Sequence, residues 1–164
     1  MHAIAMDPRH LPQPTTSLVG RTFELARLKA MLLRPEVRLV TLLGPGGVGK
    51  TRLAIHVAHE IDEETDVRVH LVPMANITEG SEVLPALARA VGASRSGVVP
   101  LEQQLADAIG DARMLLILDN VEQVTDDLTF LGGVLAACPN LTVLVTGRVL
   151  LHLSPEHVFP LDPL

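Results

Sequence analysis

Apolar positions recur along this 164-residue chain in two alternating rhythms. From Thr22 onward, Phe23, Ala26, Ala30 and Leu33 fall at steps of three and four until Pro35, which predicts a helix. Val37 to Leu43 is a short run rich in β-branched residues that ends in Gly44-Pro45-Gly46-Gly47, a strand entering a turn. Leu53, Val57 and Ile61 then share one helical face beside Ala54 and Ala58. Val67 to Val72 reads as a strand closed by Pro73. Ser81 is expected to cap a helix that runs to Val91 and stops at Gly92, with Pro85 making it begin late or bend. Pro100 to Ile109 is a further helix ended by Gly110. Met114 to Leu118 is apolar at every position, so both faces of that strand are expected to be buried. Asp126 to Ala137 reads as a helix stopped by Pro139, with Asp126 and Asp127 as its N-terminal cap. Leu141 to Val145 and His157 to Leu161 complete the strands.

Strands alternating with helices predict an α/β domain, a parallel sheet with right-handed crossovers. Residues 1–16 carry Pro8, Pro12 and Pro14 without periodicity and read as a flexible or extended leader, leaving 17–164 as one domain.

Composition narrows the function. Apolar residues make up 48% of the chain, enough for a sizeable core. Lys and Arg total 13 against 19 Asp and Glu, a formal charge of −6, which argues against a general nucleic-acid surface. Phe23, Phe130 and Phe159 are the only aromatic residues, too few for a base-stacking platform. Apolar runs such as Met114 to Leu118 fall far short of the roughly 20 residues needed to span a bilayer. The N-terminal stretch lacks a basic segment followed by an apolar one, and the single cysteine, Cys138, forms no internal disulfide; a cytoplasmic protein is expected.

The chemistry begins at Gly44-Pro45-Gly46-Gly47-Val48-Gly49-Lys50-Thr51, which fits G-x-x-x-x-G-K-[ST] between a strand and a helix. Glycines let backbone amides wrap phosphate oxygens, and the helix that follows adds the positive end of its dipole. Lys50 is expected to reach the β- and γ-phosphates and the Thr51 hydroxyl to ligate Mg²⁺, with Arg52 next to them in the cofactor site. Leu115 to Asp119 is an apolar strand that ends in an acid, where open α/β sheets bind ligands, so Asp119 is the second candidate metal residue. Asn120 stands where a second acid would serve as base, which leaves Glu122 as the nearest group to orient a water. Arg148, in Thr146-Gly147-Arg148 after the last long strand, is placed to sense terminal-phosphate charge. His56 and His59 read as a solvated helix face, Cys138 as a packed thiol, and Arg21, Arg27, Lys29, Arg34 and Arg38 as a solvated basic face.

The ordered set of Leu18-Val19-Gly20-Arg21-Thr22-Phe23-Glu24, the GPGGVGKT loop, Leu115 to Val124, Leu144 to Arg148 and Glu156 to Leu164 resembles the STAND class of P-loop ATPases. More narrowly it is similar to the NB-ARC-like modules of large bacterial transcriptional regulators of the LuxR and SARP kinds. The resemblance covers nearly all of 18–164 and implies a three-layer fold of about five parallel strands in the order 5-1-4-3-2. It implies that Val19, Gly20 and Arg21 line the adenine and ribose side, that Asp119 is the Walker B acid and that Arg148 is the sensor arginine. It further implies an ATP/ADP switch with slow or no hydrolysis, joined to the remaining domains of a longer regulator and self-associating with ATP. Gly147 departs from the serine frequent before the sensor arginine, and the family's helical and winged-helix parts are absent from 17–164. Two alternatives stay open on the sequence: a self-contained P-loop enzyme such as a small-molecule kinase, and an interaction domain with a structural nucleotide.

Overall fold

The computed structural model describes residues 11–14, 18–93 and 97–164. Most of the predicted leader, residues 1–10, 15 and 16, therefore lies outside the described residues. In chain order the elements are α1 (Thr22–Leu32), β1 (Leu39–Leu43), α2 (Lys50–Glu64), β2 (Arg68–Pro73), α3 (Val83–Val91), α4 (Leu101–Ile109), β3 (Met114–Asp119), α5 (Leu131–Ala137), β4 (Leu141–Gly147) and β5 (Glu156–Pro160). All paired strands are parallel, in the order β2-β3-β4-β1-β5, which is the expected 5-1-4-3-2 order read from the other side.

Alternation along the strands divides the core into two layers. Leu116, Leu118, Val143 and Val145 face Leu87, Leu105, Val134 and Leu135 of α3, α4 and α5. Leu115, Ile117, Val40 and Leu42 face Leu28 of α1 and Leu53, Val57 and Ile61 of α2. Every residue of β3 is buried, as the unbroken apolar run predicts for a central strand of a parallel sheet. The register pairs Leu43 with Gly147 and Leu118 with Val145, so the C-terminal ends of β1, β3 and β4 finish side by side.

Several local expectations are corrected. The helix placed at Asp126 starts at Leu131, preceded by a tight 3-10 turn over Thr125–Asp127. The residues flanking the turn, Val121, Val124 and Leu128, are buried together with Leu131 of α5, so the three-and-four spacing is satisfied without one continuous helix. Asp126 and Asp127 do not cap α5; the Asp127 carboxylate lies against Gly80, where a Cβ would sit 2.2 Å from Oδ1. Ser81 falls in the 3-10 turn Gly80–Glu82 and makes no capping hydrogen bond. Beginning α3 at Val83 places Pro85 in the first turn, where the missing N–H has no intrahelical partner to lose.

The basic residues around α1 are not a uniformly solvated face. Arg21 is buried, and Lys29 pairs with Glu60 and Glu64 of α2. Arg27 stands over the rings of Phe23 and Phe159, 5.6 and 5.3 Å from their centroids. Arg38 donates to the carbonyls of Leu135 (2.8 Å), Cys138 (2.5 Å) and Leu141 (2.9 Å), fastening the end of α5 to the start of β4. Arg34 is exposed. Leu11 is buried against the α1–α2 layer, and the Pro12 carbonyl is 2.6 Å from His59 Nε2.

Candidate functional site

The backbone leaves β1 at Leu43 and reverses over the end of the sheet. Gly44 N–H donates to the Gly147 carbonyl at 3.3 Å, which ties the loop to β4. A side chain at Gly44 would place its Cβ 2.6 Å from the Leu161 carbonyl, so only glycine fits this approach. Gly47 and Gly49 take φ of +77° and +102°, left-handed values that a branched side chain would strain, and Gly49 opens α2.

Lys50 is the first residue of α2 and is 8% exposed. Its ammonium bends back over the loop and donates to the carbonyls of Gly44 (2.6 Å) and Pro45 (2.9 Å). Thr51 Oγ1 lies 3.0 and 2.9 Å from Asp119 Oδ1 and Oδ2. The parallel register brings Thr146 to the other side of Asp119, where its hydroxyl donates to Oδ1 at 2.6 Å. The same Thr146 hydroxyl accepts the Asn120 N–H at 2.8 Å. Asn120 holds φ of +63°, a left-handed value that asparagine tolerates better than most residues, and it turns the chain away from the sheet. Val121 N–H then returns to the Thr146 carbonyl at 3.1 Å.

Arg148 leaves the end of β4 and projects across the loop. Its Nε is 3.3 Å from Glu122 Oε1, and its Nη2 stands 2.3 Å from where a Cβ of Gly46 would be. The connection from Arg148 down to β5 is pinned by Glu156. That carboxylate accepts from the Thr41 hydroxyl (2.6 Å) and from the backbone N–H groups of Leu151 (2.8 Å) and His152 (3.0 Å).

A cavity of about 800 Å³ opens beside this cluster. Gly46 to Arg52 form one wall, Asn120, Glu122, Thr146 and Arg148 another, and Pro12 to Pro14 with Leu164 its rim. The structure thus brings Gly46 to Arg52, Glu122 and Arg148 to one cavity, with Gly44 and Pro45 reached through Lys50 and Asp119 through Thr51. It does not bring Val19, Gly20 and Arg21 to the cavity wall. Val19 is 74% exposed, and Gly20 turns at φ +76° against the Leu164 side chain. Arg21 acts as a strut: Nη2 donates to the carbonyls of Asp162 (2.6 Å) and Val48 (3.2 Å), joining the segment after β5 to the glycine loop.

Sequence reading missed Thr146 as a partner of Asp119. Its signal was a polar residue inside the buried apolar strand β4, two positions before Arg148. It also missed the packing of Leu11 to Pro14, for which a lone leucine among prolines gave no signal. Cys138 is fully buried, with Sγ 3.4 Å from the Ala106 carbonyl, and burial pushes its thiol pKa up. Among the described residues no three His, Cys, Asp or Glu side chains converge as a metal cluster, and no helix is long and apolar enough to cross a membrane.

Comparison with known proteins agrees with this geometry. The AAA domain family matches residues 19–148. An uncharacterized protein of Mycobacterium tuberculosis is 34% identical over 157 residues, covering 95% of this chain and 38% of its own length. An HTH-type transcriptional regulator of the same species is 42% identical over 125 residues, covering 76% of this chain and 14% of its own. The regulatory protein AfsR of Streptomyces griseus is 29% identical, covering 96% of this chain and 17% of its own. The chain therefore spans well under half the length of the curated relatives it matches.

Among solved structures, Cdc6p from Pyrobaculum aerophilum superposes with a TM-score of 0.71 at 17% identity over 94% of this chain and 48% of that one. The Signal Transduction ATPase with Numerous Domains protein of Pyrococcus horikoshii superposes at 0.54 and 15% over 92% and 24%. Both likenesses concern the fold. The resemblance to STAND ATPases and bacterial regulators agrees with these relatives and fold neighbours. With a glycine loop between β1 and α2, an acid at the end of β3 and a parallel five-stranded sheet, the chain belongs to the AAA domain family of P-loop proteins.

Proposed function

We propose that this domain binds ADP or ATP with Mg²⁺ at the GPGGVGKT loop and serves as the nucleotide-controlled switch of a longer regulator. One observation carries the reading. A buried lysine held by the loop's own carbonyls lines the cavity beside Thr51 and Thr146, and the hydroxyls of those two threonines hold the Asp119 carboxylate behind them. Lys50 needs only to rotate from the carbonyls of Gly44 and Pro45 to reach a phosphate, and the amides of the glycine turn complete an anion nest.

The donor set also fits Mg²⁺. Thr51 Oγ1 and the Asp119 carboxylate are hard oxygen donors within 3.0 Å of one another, and Mg²⁺ favours one or two such protein ligands beside water and phosphate. When bound, the ion would neutralise charge on the phosphate oxygens. Thr146 fixes the Asp119 carboxylate for that task. Arg21 shapes the site from outside the cavity, through the Val48 carbonyl, and the resemblance alone assigns Val19 and Gly20 to the adenine and ribose side. Arg148 reads the terminal phosphate.

Hydrolysis is slow. Asn120, directly after Asp119, offers no base, and its backbone is already turned away from the sheet. Turnover below about 1 per second is expected, under the range of ordinary kinases. The relatives named as an HTH-type regulator and as AfsR support a place within a longer regulator, where ATP would favour self-association.

The experiment is equilibrium binding of ATP, ADP and GTP to the 164-residue chain with Mg²⁺, alongside phosphate release. Adenine-selective, saturable binding with slow release is expected. Failure of the folded chain to bind either adenine nucleotide would overturn the reading.

A further inference from the structure

The guanidinium of Arg148 bridges two places at once. Its Nε faces Glu122 Oε1 at 3.3 Å, while its Nη2 end rests on Gly46, at the lip of the glycine loop. The missing Cβ at Gly46 leaves the guanidinium room to lie there, and a side chain at that position would push it aside. Both partners are accessible: the Arg148 side chain is 59% exposed and that of Glu122 is 30% exposed. An ion pair this open to water is weak and exchangeable.

Glu122 thus faces a cation that it holds only loosely. We propose that Glu122 sets the preference of this site between nucleoside di- and triphosphates, by competing with the terminal phosphate for Arg148. The inference rests on the nucleotide reading above and deepens it. A guanidinium presents its donors as one planar fork, and a phosphate takes that fork face-on. A terminal phosphate at Gly46 draws the fork away from Glu122, because one guanidinium face cannot serve both anions. A diphosphate carries one phosphate fewer, ends deeper in the loop and leaves the pair standing. Glu122 therefore taxes ATP and spares ADP.

This role has the opposite sign to that of a group that orients the attacking water. Removing a water-orienting group slows turnover and leaves ground-state affinity alone. Removing a competitor for Arg148 strengthens ATP binding.

The test is calorimetric titration of the 164-residue chain with Mg·ADP and with Mg·ATP for wild type, Glu122→Gln, Arg148→Ala and the double variant. The readout is the ATP-to-ADP affinity ratio within each variant, because a fraction of unfolded chain scales both affinities alike. Glu122→Gln is expected to raise the ratio about two- to five-fold, the range an exposed ion pair supports. Arg148→Ala should lower it, and adding Glu122→Gln on that background should leave it unmoved. A ratio unchanged or lowered by Glu122→Gln overturns the inference. So does a rise of the same size on the Arg148→Ala background, since loss of negative charge alone would then account for it. A wild-type chain that binds neither nucleotide overturns the nucleotide reading, and this inference with it. A wild type that binds both, with no response to Glu122→Gln, overturns this inference alone.

Discussion

Two cations sit on backbone carbonyls at opposite edges of the same sheet. At the N-terminal edge, Arg38 serves Leu135, Cys138 and Leu141. At the C-terminal edge, Lys50 serves Gly44 and Pro45. The counts of hydrogen bonds are similar, but the surroundings differ. The carbonyls under Arg38 lie where α5 ends and β4 begins, and no glycine lines the adjoining cavity of about 270 Å³. Those under Lys50 belong to a loop with left-handed turns at Gly47 and Gly49 beside about 800 Å³ of open space and a fixed carboxylate. A cation on carbonyls is therefore a fastening where the backbone has no other use for it. It is a waiting ligand where the same backbone presents amides to an anion.

The sharpest way to break this comparison is Arg38→Ala. Loss of charge-assisted bonds to the end of α5 should destabilise the domain by about 2 kcal/mol, a fall in Tm of about 4–8 °C, with ADP affinity kept. A loss of nucleotide affinity without a loss of stability would reverse the roles assigned to the two edges. Next in size is Asp119→Asn. Nucleotide binding measured with Mg²⁺ and with a chelator should differ about ten-fold in the wild type, a gap of about 1.4 kcal/mol, and should not differ in the variant. A variant that keeps its Mg²⁺ response would remove Asp119 from the metal site.

The smallest effect concerns Cys138, beside Arg38. Burial is the largest influence on its thiol and raises its pKa, while the Arg38 charge works the other way. The folded thiol thus holds its proton to higher pH than the unfolded one. Its contribution to stability is level below about pH 8.5 and is lost as pH rises from there toward the folded pKa. Denaturant unfolding of wild type and Cys138→Ala between pH 7 and 10 should show a steeper alkaline decline in the wild type. Parallel curves would show that this thiol does not titrate with folding.

The two edges were not equally legible in the sequence. The glycine loop was read directly because its chemistry demands a fixed spacing between a strand and a helix, and both neighbours had clear periodicity. Asp119 was legible as the one acid closing a fully apolar run. Strand order came from resemblance, since alternation reports burial and not which strands are neighbours. Arg21 and Arg38 look solvated in the sequence because their charges are visible there while their partners are not. The carbonyls of Val48, Asp162, Leu135 and Cys138 converge on them only after the sheet has formed. Arg27 was hidden in the same way, since the Phe159 ring comes from β5, far along the chain. The late start of α5 was hidden because a 3-10 turn and a helix place apolar residues at nearly the same steps.

The central claim is that the C-terminal edge, with Lys50 as its cation, holds the nucleotide. Calorimetric titration of Mg·ADP into wild type, Lys50→Ala and Arg38→Ala tests it most directly. The account predicts binding by wild type and Arg38→Ala within about two-fold of each other, and a loss of about 100-fold or more in Lys50→Ala, the loss expected when a charge-assisted phosphate contact worth about 3 kcal/mol is removed. Equal affinity in wild type and Lys50→Ala, with both chains folded, would contradict it.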